Sequence, residues 1–108
     1  MPSTHLLDFA NNLALVFAYG VLEDVLKQLR DERTIVCDKW GLKNLMAQSK
    51  HSLDWIDFRL VDKGRDRRND IAHRGVVLAR GECWKYVDAI EKEMLQWGIL
   101  GPNDFAEE

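Results

Sequence analysis

Residues 52–75 read SLDWIDFRLVDKGRDRRNDIAHRG. No proline interrupts them, Ser52 suits an N-cap and Gly75 a terminator, so the stretch predicts one helix from about Leu53 to Arg74. On a wheel of about 100° per residue, Leu53, Ile56, Leu60, Gly64 and Ile71 share one face. Asp62, Arg65, Asp66, Asn69 and His73 gather opposite. Gly64 weakens a helix by roughly 1 kcal/mol against alanine; on the core side it is expected where another helix comes close. Trp55 and Phe58 fall on the polar side, where exposed aromatics are expected to form a dimer interface rather than a platform for stacked bases.

Outward from this segment the same pattern continues. Both prolines, Pro2 and Pro102, lie at the ends of the chain, and the β-branched pairs Ile35-Val36 and Val76-Val77 sit in no alternating run. A first helix is expected from about Thr4 to Leu29, capped by Ser3 or Thr4, with apolar residues around most of its circumference. Such a helix is central in a bundle or shared with a partner. Arg30 to Arg33 reads as a charged turn, Leu42 to Ser49 as a short helix packing Leu42, Leu45 and Met46. A last helix is expected from about Glu82 to Trp97, ended by Gly98, with Trp84, Val87, Ile90, Met94 and Trp97 facing the core. Short connections make long helices antiparallel neighbours. The expected fold is therefore all-α: an up-down bundle of three long helices and one short, over residues 1–102, with an acidic tail at 103–108.

A chain of 108 residues is one domain with a small core. Its net charge of −3 hides an asymmetry: residues 59–74 hold six Lys/Arg and three Asp, a +3 segment on a chain otherwise at −6. Cys37 and Cys83 make no disulfide framework and no CxxC spacing, which fits reduced thiols in the cytoplasm. The N-terminus has no basic stretch of the secretory kind, and the longest apolar run, Leu13 to Leu22, is short for a membrane span.

Within the basic segment, Arg68, Asn69 and His73 stand out. Asn69 and His73 lie one turn apart, with Arg68 on their flank. A guanidinium offers a permanent charge and forked donors that match phosphate oxygens. An imidazole near neutrality gives or takes a proton. Asn69 could orient the ring or bond to a ligand. Arg65, Arg67 and Arg74 surround them as further candidates for RNA contact. The plainer reading keeps Arg68 as a surface salt-bridge residue and His73 as a cation satisfying the last helix carbonyls.

The run Arg68-Asn69-x-x-x-His73, late in a long helix and followed by another, resembles the R-x4-6-H signature of the HEPN domains, small all-α domains of prokaryotic toxin–antitoxin and defence systems. The resemblance implies a metal-independent endoribonuclease without cofactor, working as a homodimer with two motifs facing across a cleft. It also implies attack by the RNA's own 2′-hydroxyl, leaving a 2′,3′-cyclic phosphate, and control by a cognate antitoxin, for example of nucleotidyltransferase type. The alternative is a non-catalytic HEPN-like module that binds RNA, a nucleotide or a partner protein. Many such toxins carry a tyrosine two residues after the histidine, where their antitoxin modifies them; here Gly75 stands at that position. Arg67 also precedes His73 at R-x5-H spacing, but it falls toward the expected core side, which favours Arg68. Asp62, Asp66 and Asp70 recur every four residues, and each has a cation at helical spacing: Arg59–Asp62, Lys63–Asp66 and Asp70–Arg74. A solvated, salt-bridged face is expected there rather than a metal site. His5 and His51 read as surface or capping residues.

Overall fold

The computed structural model describes residues 4–99. The expected cap at Ser3 or Thr4, the side chain of His5 and the tail at 103–108 lie outside the described residues. Four helices follow in order: α1 Thr4–Asp31, α2 Leu42–Ser49, α3 Phe58–Arg74 and α4 Arg80–Gln96. No strand occurs among the described residues. The fold is an all-α bundle of three long helices and one short.

The central element is α1. Leu15, Tyr19, Leu22 and Leu26 repeat at helical spacing and are fully buried against Leu45 and Met46 of α2, Val61 of α3 and Tyr86 and Ile90 of α4. Two long-range bonds set the direction of α3: Tyr19 bonds to Val61, and Asn12 bonds to Leu78 beyond the end of α3. The higher α3 number meets the lower α1 number, so these helices are antiparallel. Trp84 meets Asn11 while Ile99 lies against Leu29, so α4 returns parallel to α1. The long helices thus run up, down and up, with α2 in the connection between the first two. By length and hydropathy, Leu6–Asp31 is enough to cross a membrane, contrary to what the ten-residue run alone suggested. That criterion does not separate a span from the core helix of a bundle, which is the position α1 occupies here.

Two expectations about α3 are corrected. It begins at Phe58 rather than Leu53, with Asp57 rather than Ser52 as its N-cap. The Leu60 amide donates to the Asp57 carboxylate at 3.2 Å. Ser52 and Leu53 instead donate their amides to the Ser49 carbonyl and finish α2. The cause lies on α4: the buried Glu93 carboxylate accepts the Ile56 and Asp57 amides, both at 2.7 Å, and holds the chain open before α3 starts. The second correction is rotational. The buried residues are Val61, Gly64 and Arg65, so the core face is turned by roughly a quarter of a circle from the expected one. Gly64 does face the core. A Cβ there would collide with the Tyr19 hydroxyl and come within 2.7 Å of the Tyr86 ring.

On α4 the buried set is Cys83, Tyr86, Ala89, Ile90, Glu93 and Met94, while Trp84 is exposed. Trp84 was expected in the core; its indole donates instead to the Asn11 side chain at the surface. Helix α1 runs on to Asp31, so Arg30 belongs to it and the charged turn begins at Glu32, with Arg33 at φ 65 and the Thr34 amide closing on the Leu29 carbonyl.

Candidate active site

The last two turns of α3 carry the motif. Helix α3 stops at Gly75, whose φ of 67 is the left-handed conformation glycine adopts without strain, and the Val76 amide returns to the Asp70 carbonyl. The connection to α4 is pinned by Asn12 of α1. Its side-chain oxygen accepts the Leu78 amide at 2.8 Å and its amide donates to the Leu78 carbonyl at 2.9 Å. The end of the motif helix is thereby tied to the bundle's central helix.

Most charged side chains around the motif are taken up by one another. Arg65 is only 8% exposed and reaches Asp62 at 3.0 Å and Asp66 at 3.7 Å. Arg67 lies between Glu82 at 2.9 Å and Asp70 at 2.8 Å. Glu82 also accepts the Tyr86 hydroxyl at 3.3 Å. The Arg67 bond holds the Glu82 carboxyl below its ordinary range, against the opposing effect of burial. Both guanidinium groups, expected to contact RNA, are thus paired with carboxylates of this chain. Arg74 is open to solvent, 3.8 Å from Asp70, and remains available. The acidic series is likewise occupied: Asp70 meets Arg74 as expected, whereas Arg65 takes the places foreseen for Arg59 and Lys63 at Asp62 and Asp66. No group of three or more His, Cys, Asp or Glu among the described residues could hold a metal ion.

Arg68, Asn69 and His73 form no such links. None of the three side chains makes a hydrogen bond or ion pair among the described residues. Arg68 follows Val61, Gly64 and Arg65 on the inner face of α3 and is half-buried. Its Nε is buried with no partner. Nearby, burial and then the adjacent Tyr86 push the Tyr19 phenol well above its usual range, with Arg68 and Arg65 acting in the opposite direction. Tyr19 therefore stays neutral and donates to the Val61 carbonyl at 2.7 Å, so it offers Arg68 no counter-charge. Asn69 is half-buried and His73 exposed on the final turn. Arg67 and Arg68 differ in their surroundings: Arg67 is paired with two carboxylates, Arg68 with none among the described residues.

Trp55 and Phe58 are not brought to this site, and their expected exposure is corrected. Both are half-buried against this chain's own core. The Trp55 ring stands edge-on to Phe58 at 5.0 Å and to Trp97 at 4.7 Å, and its indole donates to the Ser49 hydroxyl at 3.0 Å. They close one end of the bundle. The sequence reading missed Asn12, Tyr19 and Glu93, which position the motif helix. A polar residue within an otherwise apolar stripe was the available signal for Asn12 and Glu93.

The chain matches no family model, no curated protein and no solved structure.

Proposed function

We propose that the chain is a metal-independent endoribonuclease of HEPN type, acting as a homodimer, with Arg68, Asn69 and His73 as its working residues. The observation that carries this reading is the buried, unpartnered Nε of Arg68 in a segment where the neighbouring arginines are neutralised. The Arg68 guanidinium thus carries its charge with no counter-ion among the described residues, and its forked donors match phosphate oxygens. Arg68 grips the scissile phosphate and stabilises the charge that grows on it. The substrate's 2′-oxygen forms a bond to phosphorus as the bond to the 5′-oxygen breaks. One His73 takes the 2′-hydroxyl proton, and the His73 of the second copy supplies a proton to the leaving oxygen. Asn69, one turn from His73, is free to bond to the RNA, and Arg74 adds an exposed phosphate contact.

The exposed His73 ring has no bond that orients it. That favours the second reading, a binding module without chemistry. Single-stranded RNA incubated with the chain and a metal chelator separates the two. The nuclease yields 2′,3′-cyclic phosphate ends, and His73→Ala removes them. A binding module retains RNA in wild type and His73→Ala alike and produces no new ends.

A further inference from the structure

Between α1 and α4, on a side of α4 the motif does not use, runs an apolar groove of about 370 Å³. Ala14, Ala18, Val87 and Met94 help form its floor, and Phe17 and Trp84 stand at its walls, 73% and 40% exposed. Asp88 and Glu91 line its α4 edge. Asp24 lies on the same face of α1 as Phe17 and Val21, at seven and three residues' spacing, and is exposed. None of these three acids makes an ion pair or hydrogen bond among the described residues. The neighbouring lysines of α4, Lys85 and Lys92, lie beyond Asp88 in a separate depression, which Asp88 also lines together with Ile56 and Leu60.

We infer that this groove docks a basic amphipathic helix of another protein, apolar side down and Lys/Arg toward Asp24, Asp88 and Glu91. The stretch from Trp84 to Met94 is about 15 Å of helix, which accommodates three turns of a partner helix with anchors at i, i+3 or i+4, and i+7. Charge decides the occupant. A second copy packed two-fold on this groove would set the same acids against their own counterparts, since no basic residue lines it. A cationic helix finds both an apolar floor and the carboxylates of Asp24 and Glu91, with Asp88 at the border toward Lys85 and Lys92. The inference draws nothing from Arg68 or His73 and stands independently of the nuclease reading.

The test uses two labelled 15-residue helical peptides, one of Leu and Lys with Leu at the i, i+3, i+4, i+7 positions, the other with Glu replacing every Lys. Fluorescence anisotropy should show 1:1 binding of the Lys peptide and none of the Glu peptide. The surface changes Phe17→Ser and the double Asp88→Lys/Glu91→Lys should each keep the wild-type melting temperature. Each should weaken the Lys peptide at least tenfold, and the charge reversal should create binding to the Glu peptide. The inference is overturned if both peptides bind equally, or if neither variant changes the affinity. It is equally overturned if light scattering shows a dimer that Phe17→Ser dissociates, or if neutral phosphatidylcholine vesicles retain wild type but not that variant.

Discussion

Arg67 and Arg68 are adjacent in sequence and opposite in circumstance. Arg67 is held by Glu82 and Asp70, whereas Arg68 carries a buried Nε with no partner. Replacing Arg68 with Lys keeps the charge and removes the fork, so cleavage should fall on the order of 100-fold or more while the melting temperature stays close to wild type. Arg67→Gln should do the reverse, lowering the melting temperature and leaving the rate nearly intact. The Glu82 end of that pair has its own signature. A carboxyl held below its ordinary range adds stability above that range and loses it as pH falls through the lowered value. Thermal melts from neutral pH into acid should therefore show a shallower decline for Glu82→Gln than for wild type over that acid window. The motif itself was legible in sequence because Arg, Asn and His at that spacing are chemically distinctive. Which arginine is unpaired was not, since Glu82 lies fifteen residues away and reaches Arg67 only through the packing of α4 on α3.

At the scale of the helix, the existence of all four elements followed from apolar periodicity and punctuation. The start and rotation of α3 did not follow, because residues outside it impose both. Glu93 captures the amides of Ile56 and Asp57, so the helix starts later than its own sequence permits. The face that turns inward is the one where Gly64 admits Tyr19 and Tyr86, and a wheel drawn from apolar residues alone cannot register a contact made to a glycine. Gly64→Ala tests that contact. Helix propensity favours alanine by roughly 1 kcal/mol, but overpacking against two tyrosines costs about 1–3 kcal/mol. The expected net result is a lower melting temperature by circular dichroism. Asn12→Ala probes the other end of α3. It strands the Leu78 amide and carbonyl, each at a cost of ~1–3 kcal/mol when buried and unpaired. It should also lower activity beyond the loss of folded protein, by loosening the turn that holds His73.

For the whole molecule, a basic segment on an otherwise acidic chain would make the proposed RNA binding local and salt-sensitive. The sequence displayed that asymmetry, but not that internal pairing takes up Arg65 and Arg67 while Arg59, Lys63 and Arg68 keep no carboxylate partner among the described residues. A single motif supplies one imidazole, so the proposed chemistry requires two copies. The most direct measurement combines chelator-resistant cleavage of single-stranded RNA with analysis of the new ends, for wild type, Arg68→Lys and His73→Ala, each confirmed folded by its melting curve. The account predicts 2′,3′-cyclic phosphate ends from wild type and none above background from either variant. Intact RNA with folded wild type, or equal cleavage by all three proteins, would contradict it.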